Sequence, residues 1–196
     1  LQGGFFMSMA FVLGNGVSRK SVNLEHLRIH GTIYGCNALY RDFTPDVLIA
    51  TDRPISEQIQ HSGYPLKNKF YTRKPLEGLG ANRVPDQYWG YSSGPLAAAI
   101  AAADQHMNIY LLGFDMAGIN NRFNNLYADS EFYKRSGANP TYTGNWERQL
   151  LKVMQDYPHT NFIRVHGAIT ADVPEFLKHP RHSRLNIAEF QSQFGV

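Results

Sequence analysis

The sequence predicts a single α/β domain, a mostly parallel sheet with helices on both of its faces. Three observations carry that prediction. Short apolar runs alternate with helix-like stretches along the chain, the pattern of strand–helix–strand units. Several of the runs end in small or polar residues (Gly14-Asn15-Gly16, Asn37, Asp52, Gly113-Phe114-Asp115), and a parallel sheet presents the ends of its strands to ligands. The length of 196 residues, with 43% hydrophobic and 18% charged content, suits one domain with a sizeable core.

Residues 10–13 are an apolar first strand. Gly14, Asn15 and Gly16 then turn the chain tightly and bare backbone N–H groups, with Ser18 behind them. Residues 19–23 read as a polar connection. Asn23 caps a short helix through Leu24 and Leu27, which Gly31 closes. The second strand, 32–36, ends at Asn37 and is followed by one helical turn. Pro45-Asp46 lead into a third strand, 47–51, ending at Asp52. Pro54 opens a helix that Gly63 stops. A fourth strand covers 69–72, and 74–89 is irregular.

Ser92-Ser93-Gly94-Pro95 is the clearest helix start, with Pro95 at the first helical position and an alanine-rich helix running to 107. Residues 108–112 are a buried strand. The stretch 117–143 has no period but many asparagines and aromatics. A connection this long inside a domain is functional or disordered, and the aromatics favour a lid. An amphipathic helix covers 145–157, with Asn145 at its N-cap and Trp146, Leu150, Val153 and Met154 on one face. The last strand, 161–165, leads to His166. A short helix follows at 174–177, then a solvated basic run over 178–184 and a weak helix over 187–194. The expected domain is therefore 9–178, with a C-terminal tail over 179–196. Residues 1–8 read as an expression leftover or disordered leader, too short and lacking the basic flank of a signal peptide.

Gly14, Asn15, Gly16, Asn37, Asp52, Ser93, Gly94 and Asp115 are expected to face one crevice. The helix start at Ser93 adds unpaired N–H donors and a positive dipole end, which together favour an anion. Each residue also has a purely structural reading. Asn15 and Asn37 can satisfy turn backbone, Asp52 can cap a helix, and Asp115 can hold a loop. No metal site is predicted, since the histidines lack ligand spacing. His166 is a weak candidate base near the crevice. The net charge of +3 admits an anionic ligand but supplies no basic stripe, so nucleic acid is not the expected partner. No apolar run is long enough for a membrane span. The single cysteine, Cys36, excludes an internal disulfide and points to a reducing, cytoplasmic compartment.

The order Gly14-Asn15-Gly16-Val17-Ser18, Cys36-Asn37, Ser93-Gly94 and Ile109-Tyr110-Leu111-Leu112-Gly113-Phe114-Asp115 resembles the bacterial sialyltransferases of glycosyltransferase family 42. The likeness spans about residues 11–165. It implies a Rossmann-like fold and transfer of a sugar from a cytidine-monophosphate-linked donor. By that resemblance, Asn15 and Asn37 hold donor phosphate and ribose, and Ser93-Gly94 meet the sugar carboxylate. The family's catalytic histidine position matches Asn145, which cannot take a proton, and the tyrosine expected after the fifth strand is Ala117. The segment Pro45-Asp46-Val47-Leu48-Ile49-Ala50-Thr51-Asp52 is similar to a related family typified by archaeal pterin pyrophosphokinases, in which the aspartate lies in a nucleotide and metal site. Similar chains occur among phage proteins, which implies a viral source and a host-cytoplasm location. Three readings follow: a nucleotide-sugar transferase with a changed base, a non-catalytic nucleotide or sugar-phosphate binder, and a magnesium-dependent phosphoryl or pyrophosphoryl transferase using Asp52. The resemblance is compatible with a homo-oligomer.

Overall fold

Eight strands form one sheet in the computed structural model, which describes residues 8–196. The expectation for residues 1–7 lies outside the described residues. The strands are β1 (Met9–Leu13), β2 (Thr32–Cys36), β3 (Val47–Ile49), β4 (Lys69–Thr72), β5 (Asn82–Arg83), β6 (Asn108–Leu112), β7 (Asn161–His166) and β8 (His182–Asn186). Their spatial order is β5-β4-β3-β2-β1-β6-β7-β8. Every neighbouring pair is parallel. The expected parallel α/β, Rossmann-like arrangement is therefore present, and it is parallel throughout. The order reverses at β1, which pairs with β2 on one side and β6 on the other.

The central strands are apolar on both sides because both faces of the sheet are covered. On one face, Val12, Ile109 and Leu111 lie under α3 (Ser93–Ala103) and α4 (Gly144–Asp156). The alanines of α3 bring its backbone close to the strands, and its buried residues run all round the helix. On the other face, Phe11, Ile33 and Leu112 lie under α1 (Leu24–Leu27) and α6 (Ile187–Phe194), while Leu48 and Phe70 lie under α2 (Arg53–His61). The remaining helix, α5 (Pro174–Lys178), buries Phe176. No helix among the described residues is long and apolar enough to cross a membrane.

Several local expectations are corrected. Helix α3 begins at Ser93, two residues before Pro95, and ends at Ala103 because Gln105 takes a left-handed φ of 67°. The stretch read as irregular contains the two-residue strand β5. Helix α4 begins at Gly144, so Asn145 is inside the first turn and Thr143 is the capping residue. The greatest difference is at the C-terminal end. Residues read as a solvated tail form β8, which pairs along β7, and α6, whose Phe190 and Phe194 are buried against Phe11 and Tyr110. Asn186 and Glu189 close a capping box at the start of α6.

A chain of polar side chains secures the amino-terminal end of the sheet. Ser8 Oγ lies 2.5 Å from His106 Nδ1, and His106 Nε2 lies 3.0 Å from Tyr34 Oη. The Tyr34 hydroxyl donates to Asp104 at 2.6 Å. With the tyrosine proton committed to the carboxylate, Nε2 carries the imidazole proton and Nδ1 accepts from the serine.

Candidate functional site

A cavity opens at the carboxyl ends of the strands, where the strand order reverses. It has a volume of about 190 Å³. Ligands of open parallel sheets sit at this place in the topology. Gly14, Asn15, Gly16, Asn37, Asp52, Ser93, Gly94 and Asp115 all line it, together with Asn124, Asn125 and Trp146. The eight residues expected to face one crevice are therefore on its wall. Asn145 and His166 do not line it. Asn145 is exposed and accepts a hydrogen bond from Arg148 at 2.6 Å, because the earlier helix start turns it away and presents Trp146 instead. His166 ends β7, one strand beyond β6, and pairs with Asn186.

The β1 turn is a close-packed junction. Gly14 N–H donates to the Leu112 carbonyl at 2.8 Å, and Gly16 N–H donates to the Gly113 carbonyl at 3.0 Å. Asn15 is buried, and its side chain serves the scaffold: Nδ2 donates to the Cys36 carbonyl at 3.1 Å and Oδ1 accepts from Arg19 at 2.9 Å. The Asn15 backbone N–H has no acceptor among the described residues. Arg19, read from sequence as part of a polar connection, is 5% exposed and also donates through Nε to the Gly14 carbonyl at 2.6 Å.

Ser93 joins three elements. Its hydroxyl donates to Asn37 Oδ1 at 2.9 Å and accepts the Thr51 backbone N–H at 3.1 Å. Asn37 adopts a left-handed φ of 53°, a conformation asparagine tolerates better than most residues. Its Nδ2 has no acceptor among the described residues, nor do the backbone N–H groups of Ser93 and Gly94 at the start of α3. Pro95 carries no N–H, so the donors of this helix end are concentrated on those two residues.

The two pocket aspartates differ. Asp115 is buried and occupied, accepting from Ser18 N–H at 3.2 Å, Asn124 Nδ2 at 3.0 Å and Thr170 Oγ1 at 3.1 Å. It holds three loops together. Asp52 stands at the capping position of α2 without capping it, is exposed, and has no hydrogen-bond partner for its carboxylate among the described residues. Cys36 also lines the pocket, but burial pushes its thiol up to about 12, so it is protonated and not nucleophilic at neutral pH. No group of three His, Cys, Asp or Glu side chains among the described residues is placed to hold a metal ion.

The stretch 117–143, expected to be a lid, contributes Asn124 and Asn125 to the wall of the site. Leu126 N–H donates to the Asn15 carbonyl at 2.8 Å, and Asn124 Oδ1 accepts from Val17 N–H at 2.9 Å. Tyr127 and Tyr133 pack against the cluster under α2. Sequence reading missed Arg19, Asn124, Asn125 and Trp146. For the asparagines the only signal was their density in a long unpatterned segment, and for Trp146 it was a bulky ring at a helix start. Searches against protein-family models, curated proteins and solved structures gave no match to the chain.

Proposed function

We propose that the pocket at the end of β1 and β6 binds a nucleotide or nucleotide-sugar, with its phosphate over the Gly14–Gly16 turn, and that the protein acts as a sialyltransferase-like glycosyltransferase on a cytidine-monophosphate-linked donor. The observation that carries this reading is the meeting of unpaired backbone N–H groups from Asn15, Ser93 and Gly94 at one switch-point crevice, since such donors suit phosphate oxygens. The resemblance noted above supplies the donor class. Asn37 Nδ2 and Asn125 Nδ2, neither with an acceptor among the described residues, give neutral donors for sugar or ribose oxygens. With Asn145 turned outward, Asp52 is the only pocket carboxylate among the described residues with no internal hydrogen bond, and it is assigned the base of the transfer. A second reading is favoured by that same free carboxylate: Asp52 with a magnesium ion whose other ligands are phosphate oxygens and water, serving phosphoryl transfer.

A thermal-shift panel of nucleotides and nucleotide-sugars, with and without magnesium, tests the reading. A ligand at a hundredfold excess over its Kd adds about 2.7 kcal/mol to the folded state, a rise of several degrees in a domain of this size. The expected result is a metal-independent rise with cytidine nucleotides that is lost in Asn37→Ala. For the catalytic assignment, Asp52→Asn is expected to keep the rise and lose product formation. A rise that needs magnesium favours the second reading. No rise with any nucleotide refutes both.

A further inference from the structure

Arg19 is a buried guanidinium with no carboxylate within ion-pair distance among the described residues. Buried charges are ordinarily paired, because desolvating an isolated ion is costly. Arg19 is instead satisfied by the neutral groups of the turn: the Gly14 carbonyl at 2.6 Å and Asn15 Oδ1 at 2.9 Å. Burial lowers its pKa from the ordinary arginine value, and the Tyr127 hydroxyl and Asp42 oppose that shift. A second guanidinium repeats the arrangement one strand away. Arg164, 2% exposed, donates through Nε and Nη2 to the Phe114 carbonyl at 2.9 and 2.6 Å.

Each of these carbonyls belongs to the peptide group whose N–H is carried by the next residue, Asn15 or Asp115, and both of those residues line the pocket. A cation on the carbonyl oxygen draws electron density from the peptide and makes its N–H a stronger donor. Asp115 offsets part of the Arg164 charge at its own end. Asp42 and the Tyr127 hydroxyl play the corresponding part for Arg19.

We propose that Arg19 is a positioning residue for an anionic ligand: its buried charge acts through the Gly14–Asn15 peptide and the Asn15 side chain, and the phosphate seated on the turn is its counter-ion. This rests on the phosphate placement proposed above. The pocket wall carries no lysine or arginine of its own, so an anion there is met by backbone donors, among them the Asn15 amide that Arg19 backs. The ligand class that follows is a phosphate ester held by polarised amides. A ligand gripped by flexible cationic side chains would need a different wall.

The test uses CMP, cytidine and inorganic pyrophosphate as probes, titrated by calorimetry against the wild-type chain, Arg19→Met and Arg19→Lys. Arg19→Met is expected to bind CMP and pyrophosphate at least tenfold more weakly while leaving cytidine affinity unchanged. Arg19→Lys is expected to recover part of the loss. Equal weakening of CMP and cytidine would mean a structural role only and would overturn the proposal. If Arg19→Met does not fold, the wild-type protein still decides. Adding pyrophosphate is expected to move the Asn15 amide proton and nitrogen resonances in a saturable way, and no movement overturns the proposal. Pyrophosphate binding that depends on Arg19, without binding of any nucleotide, would sustain the inference and remove the nucleotide reading. Wild-type protein that binds none of the probes overturns both.

Discussion

Gly16 has no room for a side chain. A Cβ there would stand 2.4 Å from Asp115 Oδ2 and 2.6 Å from the Gly113 carbonyl oxygen. Its backbone φ of −64° suits any residue, so the requirement is purely one of space. Gly16→Ala is expected to push the Asp115 carboxylate off its Ser18, Asn124 and Thr170 partners. The cost should be about 1–3 kcal/mol, as for other overpacked sites. Calorimetry should show a lower Tm, while Gly90→Ala, where a Cβ meets nothing within 4 Å, should leave Tm unchanged. At this scale the sequence reads well for location and less well for role. Apart from His166, the strand-end residues named from sequence line one pocket, because strands of a parallel sheet end on the same edge. Which atoms remain free for a ligand depends on partners far away in sequence. Asn15 is spent on Cys36 and Arg19 and Asp115 on three loops, while the Asp52 carboxylate has no partner among the described residues. Arg19 was illegible because a charged residue between polar neighbours ordinarily reads as solvated.

Among the elements, β8 carries a pH dependence. His182 begins this strand, with its ring against Phe176 and its Nε2 buried without a partner among the described residues. Burial, then the charges of Arg164, His179 and Arg184, push its pKa down to about 4. The neutral ring is the folded form. Above the ordinary histidine value, near 6.5, its contribution to stability is fully present. As pH falls from there toward 4, the unfolded chain takes up the proton first and that contribution is lost. The denaturant midpoint is expected to drop between pH 7 and pH 5, and to drop less in His182→Gln. A pH response identical in the two proteins would contradict the assignment. Sequence reading missed β8 because an edge strand with one face in water and charges along it lacks the apolar run that marked β1, β2 and β6. It missed β5 because two residues carry no period at all. The start of α4 was displaced by one residue, enough to replace a polar side chain with Trp146 at the pocket.

For the whole molecule, the alternation of strand and helix was sufficient to give the parallel sheet, but the strand order was not written in it. That order depends on which edges find partners. Residues 179–196 belong to the same structure: β8 covers the open edge of β7, and Phe190 and Phe194 close the core over Phe11 and Tyr110. Fully burying a phenylalanine side chain is worth about 1.5–3 kcal/mol, and a domain has only about 5–15 kcal/mol in total. A chain ending at Lys178 is expected to lose the cooperative thermal transition or to melt at least about 10 °C lower, as followed by near-ultraviolet circular dichroism. Retention of the full-length melting profile would show that the tail is dispensable.

The position of β1 has a consequence for how the protein is made. Among the described strands it comes first in chain order, and it sits in the middle of the sheet. Its partner on one side, β2, follows soon after. Its partner on the other, β6, is translated about a hundred residues later. At about 5–20 residues per second, the hydrogen-bonding edge of Met9–Leu13 stays open on the nascent chain for about 5–20 s. During that interval the switch-point crevice has only one of its two walls, and an apolar, unpaired strand is exposed to other chains. Newly made protein is therefore most exposed to aggregation before Asn108–Leu112 emerges, and slower translation of the intervening segment would lengthen that interval.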